Sequence, residues 1–249
     1  MNYQHIRFFL REYFFPSGCG SCGTVLKNDL DAFYGLCGDC RSFLEKYLDE
    51  EKRCTLCGKV LISETGTCLK CRDKELFNEN LVRVRTLFPY RGKFKNILGN
   101  YKFRKSLGIG NYLADCLHKA LEDFNPETSA NEDLAWIPVP PRPGKIKKQG
   151  WDQIEYLSTL LWKKSSGRKS PGIAVNRCLK RLPSRSQKEL NREERGNNLK
   201  GRIICVKKPP KTALLFDDVF TTGATLNACA AALLEGGAEK VYGLCLFYD

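Results

Sequence analysis

Two adjacent carboxylates, Asp217 and Asp218, lie between an apolar run and a loop of small hydroxyl-bearing residues. The apolar run, Ala213 to Phe216, predicts a short strand that is buried on both faces. The Ala- and Leu-rich segment from Leu226 to Glu235 predicts a helix, because Gly236-Gly237 follows it. Between the acids and this helix lie the small residues of the loop, Thr221, Thr222, Gly223, Ala224 and Thr225. Backbone N–H groups and the positive end of the helix dipole converge at such a loop, so the stretch predicts a phosphate cradle beside two acids.

The two acids constrain the ligand, because they would repel a phosphate group and suit hydroxyls or a divalent cation just beyond it. 5-Phosphoribosyl 1-pyrophosphate carries a 5′-phosphate at one end, with ribose hydroxyls and Mg²⁺-bound pyrophosphate at the other. The run L-L-F-D-D-V-F-T-T-G-A-T resembles the ribose-phosphate loop of type I phosphoribosyltransferases. The alternative is a buried strand whose acids only cap the helix, which explains neither two consecutive acids nor three threonines.

Eight of the thirteen cysteines form four C-x-x-C pairs near the N-terminus. The pairs are Cys19/Cys22, Cys37/Cys40, Cys54/Cys57 and Cys68/Cys71. Each pair can bind one side of a tetrahedral ion, so four pairs predict two zinc ions with closed, structural coordination. The spacing favours sequential sites, Cys19/22/37/40 and Cys54/57/68/71, although it leaves an interleaved pairing open.

A disulfide-stapled extracellular domain is the alternative explanation for these cysteines. The segment from His5 to Phe15 is aromatic, but Arg7, Arg11 and Glu12 interrupt it. It therefore predicts a short amphipathic helix rather than a signal peptide. Five further cysteines lie in the second part of the chain, which favours a reducing cytoplasm. No apolar run reaches the roughly 18 residues of a membrane span, so membrane insertion is not expected.

The charge of the chain is distributed unevenly. Residues 1–75 contain 11 Lys/Arg and 11 Asp/Glu, whereas residues 76–249 contain 30 and 17 and account for the net charge of +13. We predict two domains with this boundary, a double zinc ribbon with a short N-terminal helix over 1–75 and an α/β domain over 76–249. The basic surplus suits polyphosphates or nucleic acid, and a merely soluble basic surface explains it equally well.

The remaining segments of the second domain alternate between strand and helix patterns. Predicted strands are Val82–Phe88, which reads as half-exposed, and those beginning at Leu134, Ile203 and Val241. Predicted helices are Phe94–Phe103, Ile109–Phe124 and Gln153–Lys163.

Two basic segments flank the predicted site. Val139, Arg142 and Lys145 follow a strand at its carboxyl end, where they would face a pyrophosphate unless the segment is only a solvated loop. Arg177 to Gly201 is long and polar, which favours a mobile cover over the site, with a plain surface loop as the alternative.

Three stretches together resemble the competence protein F family (ComF, ComFC-like) over nearly the full length. They are the C-x-x-C array, V-P-x-x-P with the following basic run and G-W-D-Q, and Q-K-E-L-N-R-E-E-R-G-N-N ahead of the phosphate loop. The resemblance implies an α/β fold, a type I phosphoribosyltransferase-like parallel sheet flanked by helices, with a small N-terminal zinc-ribbon module. Where the family has R-G-F-N-Q, this chain has Gln149-Gly150-Trp151-Asp152-Gln153, so no ligand contact is predicted for Gln149 or Asp152.

The resemblance also implies roles for individual residues. Thr221 to Thr225 would bind the 5′-phosphate, and Asp217 and Asp218 would orient the ribose hydroxyls, directly or through Mg²⁺. The turn Val139 to Arg142, with Lys145, would neutralise the pyrophosphate. In an enzyme, the acids would stabilise positive charge at C1′ after pyrophosphate departs.

Two functions follow from these roles and stay open. One is a phosphoribosyltransferase acting on an unidentified base or amine acceptor. The other is a competence factor for DNA uptake that binds single-stranded DNA and works beside a DNA-translocating helicase. The resemblance favours the second function, whereas the intact loop favours ligand binding at least.

Overall fold

The computed structural model describes residues 17–73, 80–123, 134–165, 174–183 and 201–249. The predicted N-terminal helix over His5 to Phe15 lies outside these ranges. So does most of the segment Arg177 to Gly201 that is predicted to cover the site. Within the described ranges, every helix falls short of the length and apolar character that a membrane crossing requires.

Among the described residues, three short helices precede the first strand, and strands and helices are mixed along the rest of the chain. The strands are β1 (Val84–Pro89), β2 (Leu134–Pro138), β3 (Ala174–Val175), β4 (Leu179–Arg181), β5 (Ile203–Cys205), β6 (Thr212–Phe220) and β7 (Lys240–Tyr248). The helices are α1 (Asp29–Tyr34), α2 (Gly38–Leu48), α3 (Leu69–Arg72), α4 (Gly92–Arg104), α5 (Leu107–Glu122), α6 (Lys145–Gln149), α7 (Gln153–Ser165) and α8 (Ala224–Glu235).

Five strands form a parallel sheet in the order β1-β7-β6-β2-β3. Alternate residues of β6 face opposite layers, as the two-residue period of a strand requires. Leu214 and Phe216 join the core that contains α4, α5 and α7. Ala213 and Leu215 join the core that contains α8 and the second group of cysteines. Because both faces are covered, the central strands are apolar on both sides, as expected for a parallel sheet. The predicted fold class, a parallel sheet flanked by helices with a small N-terminal zinc-ribbon module, is confirmed.

Three local predictions differ from the structure. β1 is buried along almost its whole length rather than half-exposed, because the second group of cysteines packs on it. β6 extends four residues beyond Phe216, since it pairs with β7 as far as Phe220, so both acids lie within the strand. β4 pairs antiparallel with β5, so the first part of the segment that was predicted to be a mobile cover is a hydrogen-bonded strand.

Candidate functional site

The eight N-terminal cysteines form two clusters, Cys19/22/37/40 and Cys54/57/68/71. In each cluster the four sulfur atoms lie within 4.8 Å of one another. The Sγ atoms of Cys22 and Cys37 are 3.7 Å apart, as are those of Cys57 and Cys68. This distance matches the edge, about 3.8 Å, of a tetrahedron of sulfurs that each lie about 2.3 Å from zinc. Both clusters therefore fit a zinc ion, and the fold selects the sequential pairing.

Both clusters are built on the same turn. The N–H of Gly23 donates to the carbonyl of Cys19, and the N–H of Gly58 donates to that of Cys54, each at 2.9 Å. The two glycines have φ of +83° and +72°, a region that other residues rarely adopt. In each cluster the N–H of the third cysteine also donates to the sulfur of the first, at 3.4 and 3.3 Å. The same turn at a C-x-x-C pair therefore occurs in both clusters.

The second cluster covers the outer edge of the sheet. The N–H of Val84 donates to the carbonyl of Leu56, and the hydroxyl of Thr86 donates to the carbonyl of Cys57, both at 2.7 Å. A methyl group at Gly58 would lie 2.7 Å from the backbone nitrogen of Thr86, so only glycine fits there. The cluster therefore pairs and shields the edge strand β1, which would otherwise expose free backbone groups.

The first cluster packs on the helical face instead. The side-chain amide of Asn100, on α4, donates to the carbonyl of Gly20 at 2.7 Å. The amide of Asn111, on α5, donates to the carbonyl of Phe33 at 3.1 Å. Buried residues of this cluster share one hydrophobic core with α4 and α5. Both metal sites are consequently part of the packing of the sheet domain.

A cleft of about 1030 Å³ opens where β2 and β6 end. The carboxyl ends of parallel strands are the usual ligand-binding edge of such sheets. Three acids, Asp152, Asp217 and Asp218, line this cleft. Its cationic lining residues are Lys102, Lys105, Arg142, Lys145, Lys148 and Arg181. The cleft therefore combines an excess of positive charge with an acid pair.

The structure brings most of the predicted site residues into this cleft. Those that line it are Val139, Arg142, Lys145, Asp217, Asp218, Thr221 and Thr225. Thr222, Gly223 and Ala224 complete the same turn without lining the cleft. Sequence reasoning thus located the two sides of one cavity, and the ligand roles of these residues stay predictions.

The loop after β6 leads directly into α8. Gly223 has φ of +74° and precedes the first helical residue, Ala224, so the helix begins two residues earlier than predicted. The hydroxyl of Thr222 accepts from the N–H of Ala224 at 3.4 Å, and no acid lies in the first turn. Unshared N–H groups at a helix N-terminus attract anions. The geometry of Thr221 to Thr225 is therefore suited to a phosphate.

The two acids differ in their surroundings. Oδ2 of Asp218 accepts from Nζ of Lys102 at 2.6 Å and from Nε2 of Gln153 at 2.7 Å. Oδ1 of Asp217 accepts from the backbone N–H of Asp218 at 2.8 Å. Loss of water at the floor of the cleft, and then the charge of Asp218, raise the pKa of Asp217 to about 7. Asp217 is thus half protonated near neutral pH, beside a carboxylate that has a cationic partner.

This pKa predicts a pH-dependent effect of Asp217→Asn on stability. The folded protein keeps a proton on Asp217 up to about pH 7, whereas a carboxyl with the ordinary value of 3.8 loses it much earlier. The free energy of unfolding of the natural protein should therefore fall as pH rises from about 4 to 7. The neutral asparagine avoids this loss, so the variant should be more stable at pH 8 by about 4 kcal/mol and about equal near pH 4. Thermal unfolding across this range measures the difference. The control variant Asp123→Asn changes an exposed acid, and its difference in stability from the natural protein should not follow this trend with pH. If the difference for Asp217→Asn were the same at every pH, the assigned pKa would be contradicted.

Lys145 and Asp152 form an ion pair at the rim of the cleft. Nζ of Lys145 lies 2.6 Å from Oδ2 of Asp152. The other oxygen of Asp152 accepts from the N–H groups of Ile154 and Glu155, at 2.9 and 3.1 Å, and caps α7. Asp152 is thus a capping residue, and the ammonium group of Lys145 already has a carboxylate partner.

Lys102 and Arg181 are among the cleft residues that the sequence did not predict. Lys102 lies in the predicted helix Phe94–Phe103, and no sequence signal relates it to Asp218, 116 positions away. Arg181 lies in a charge-dense segment, where only the alternation of Leu179 and Arg181 around Lys180 indicates a strand. Arg181 is 8% exposed, and its Nε and Nη2 atoms have no hydrogen-bond partner among the described residues. Burial, and then the charge of Arg142, lower its pKa.

Fold and site together define the class, an α/β protein with a helix-flanked parallel sheet, a cationic cleft at the carboxyl ends of its strands and two four-cysteine clusters near its N-terminus. No protein-family model matches the chain. It is 29% identical to Competence protein ComFC of Streptococcus pneumoniae over 87% of this chain and 88% of that protein. It is 27% identical to Competence protein F of Haemophilus influenzae, over 83% and 87% of the two chains. It is also 27% identical to Competence protein ComFC of Bacillus subtilis, over 81% and 79%. These matches support assignment of the chain to the ComFC family.

Proposed function

We propose that the cleft binds 5-phosphoribosyl 1-pyrophosphate or a closely related sugar phosphate. One observation carries the proposal, namely that the acid pair of β6 and the N-terminus of α8 open into the same cationic cleft. A ribose 5-phosphate unit carries its phosphate and its hydroxyls a few bonds apart. The loop Thr221 to Thr225 would bind the phosphate, and Asp217 and Asp218 would accept hydrogen bonds from the hydroxyls.

The pyrophosphate would occupy the opposite side of this cleft. Arg142 and Arg181 lie close enough for the charge of one to lower the pKa of the other. Two guanidinium groups that line the same cleft favour a polyanion, because each arginine can bind phosphate oxygens in a bidentate manner. The buried guanidinium of Arg181, two of whose nitrogens have no hydrogen-bond partner among the described residues, supports this placement. Lys145 would contribute only by leaving Asp152, its present partner.

Mg²⁺ enters this proposal only with the pyrophosphate, whose charge it would neutralise. The acid pair fits a protein-bound Mg²⁺ poorly. Mg²⁺ requires oxygen ligands at about 2.0–2.1 Å in octahedral geometry. Oδ2 of Asp218 and Oδ1 of Asp217 already accept N–H donors. No step is therefore assigned to a metal that these two side chains would hold.

The biological role that we propose is DNA uptake and the processing of single-stranded DNA, in the cytoplasm, beside a DNA-translocating helicase. The three relatives, which are named as competence proteins, support it. Thiolates must stay reduced to hold zinc, which supports the location. The division into a zinc-ribbon part, 1–75, and a phosphoribosyltransferase-like part, 76–249, belongs to the same proposal. A phosphoribosyltransferase that acts on a base or amine acceptor is the second candidate, supported by the acid pair beside the phosphate loop.

Calorimetry with 5-phosphoribosyl 1-pyrophosphate and Mg²⁺ tests the ligand. The natural protein should bind it, and Asp217→Asn/Asp218→Asn should weaken binding about tenfold or more, because two charge-assisted hydrogen bonds are lost. Glu235→Gln/Glu239→Gln removes the same charge from the exposed surface and should bind normally. Absence of binding by the natural protein would remove the ligand proposal.

Two further measurements separate the candidate roles. Affinity for single-stranded DNA that falls steeply with salt and survives the double aspartate change would support the DNA role. Release of pyrophosphate that disappears in the double variant would support the transferase. A protein that binds neither the sugar phosphate nor DNA would refute both roles.

A further inference from the structure

The side chain of Lys102 forms an ion pair with Asp218, one of the two acids of β6. Lys102 lies near the end of α4, and its Nζ is 2.6 Å from Oδ2 of Asp218. The Lys102 side chain is 30% exposed, whereas that of Asp218 is 9% exposed. Burial opposes the charge of the ammonium group, but Asp218 and Asp217 outweigh it and raise the pKa of Lys102. The acid pair therefore faces a permanently charged ammonium group.

Gln153 completes the surroundings of Asp218. Its Nε2 donates to the same carboxylate oxygen at 2.7 Å, and its Oε1 accepts from Nζ of Lys145 at 2.5 Å. The opposite amide orientation would place NH₂ against an ammonium group, so the two neighbours fix the amide as described. The backbone carbonyl of Gln153 also accepts from the hydroxyl of Tyr101, at 2.7 Å, which ties α4 to α7. Oδ2 of Asp218 is thus held by two donors on two packed helices.

We propose that Lys102 is the resident counter-ion of the acid pair and replaces a protein-bound divalent cation in binding the ribose end of a sugar phosphate. This inference rests on the function proposed above. With Oδ2 held by Lys102 and Gln153, Asp218 offers its other oxygen to a ribose hydroxyl. Lys102 is a positioning residue, because it acts on the ligand through Asp218. It also neutralises part of the negative charge of the acid pair, which would otherwise repel a bound phosphate.

Ribose 5-phosphate is the appropriate probe, because it lacks the pyrophosphate that would bring Mg²⁺ with it. Its affinity is measured by calorimetry on zinc-loaded protein, in buffer freed of Mg²⁺ over a chelating resin and again with millimolar Mg²⁺. A soluble chelator is avoided because it would strip the zinc clusters. The dissociation constant of the natural protein should change less than about threefold between the two buffers, since the counter-ion is already present.

Lys102→Met should bind ribose 5-phosphate about tenfold or more weakly without Mg²⁺ and recover much of this loss when Mg²⁺ is added. A residue that served only to pack the helix would not give a loss that a divalent cation reverses. Lys102→Arg keeps the charge and should stay independent of Mg²⁺. Lys95→Met, an exposed lysine on the same helix, is the matched control and should bind like the natural protein.

Several outcomes overturn the inference. If the natural protein bound ribose 5-phosphate only in the presence of Mg²⁺, the inference about Lys102 would be overturned and the proposed ligand would stand. This outcome can be observed even if Lys102→Met fails to fold. Unchanged affinity of Lys102→Met without Mg²⁺, or a loss that Mg²⁺ does not reverse, would overturn it as well. If ribose 5-phosphate bound neither with nor without Mg²⁺ while 5-phosphoribosyl 1-pyrophosphate did bind, the counter-ion role of Lys102 would be refuted and the proposed function would stand. Failure of both ligands to bind would refute the proposed function together with it.

Discussion

Cys57→Ser should remove one of two zinc ions per chain and destabilise the sheet, not only the cluster. The free energy that zinc supplies to small cysteine sites, about 10–16 kcal/mol, is comparable with the whole stability of a typical domain, about 5–15 kcal/mol. The second cluster also hydrogen-bonds to β1 through Val84 and Thr86. Its loss would expose the edge of the sheet, so we expect unfolding or aggregation at temperatures that the natural protein tolerates.

Metal counting and thermal unfolding test this expectation together. Cys205→Ser is the matched control, because it makes the same change at a partly buried thiol outside both clusters. It should retain two zinc ions and unfold near the temperature of the natural protein. Cys22→Ser, in the first cluster, should also lose one ion, but β1 should stay covered. Two zinc ions in purified Cys57→Ser, or an unchanged unfolding temperature, would contradict the structural role of the second cluster.

Arg181→Gln should abolish most of the affinity for pyrophosphate without destabilising the protein in its absence. The guanidinium is buried and has two nitrogens without partners among the described residues, which costs stability until an anion arrives. Each hydrogen bond to a charged group contributes about 1.5–3 kcal/mol, so losing one or two weakens binding by about tenfold or more. Without any anion, the variant should unfold at the same temperature or slightly higher, since it removes a buried charge that forms no ion pair within the described part of the chain.

The experiment compares calorimetric affinity for inorganic pyrophosphate with unfolding temperatures in anion-poor buffer. Arg181→Lys keeps the charge but lacks the planar fork, so its affinity should be intermediate. Arg177→Gln is the matched control, because Arg177 binds Glu155 at the exposed surface and does not line the cleft. If Arg181→Gln bound pyrophosphate normally, or unfolded several degrees lower without it, Arg181 would be a structural residue.

Much of the local architecture could be predicted from the chain. Two residues between cysteines set how both sulfurs reach one ion, so the C-x-x-C spacing predicted both clusters. Small residues after an apolar run likewise predicted the strand, loop and helix around Gly223, because turns and caps depend on neighbouring residues. The boundaries were less accurate, since β6 continues to Phe220 only because β7 lies beside it.

The composition of the site was decided by tertiary structure. Lys102 and Asp218 meet across 116 positions because α4 packs beside the carboxyl end of β6, a relation that no local pattern contains. Arg181 faces the cleft because β4 pairs with β5, although its surrounding sequence resembles a charged surface segment. The sequence by itself determined the C-x-x-C pairs and the loop before α8, because neighbouring residues form them. Only packing between distant segments decided which charges share the cleft, because attraction between charges depends on distance in space rather than along the chain.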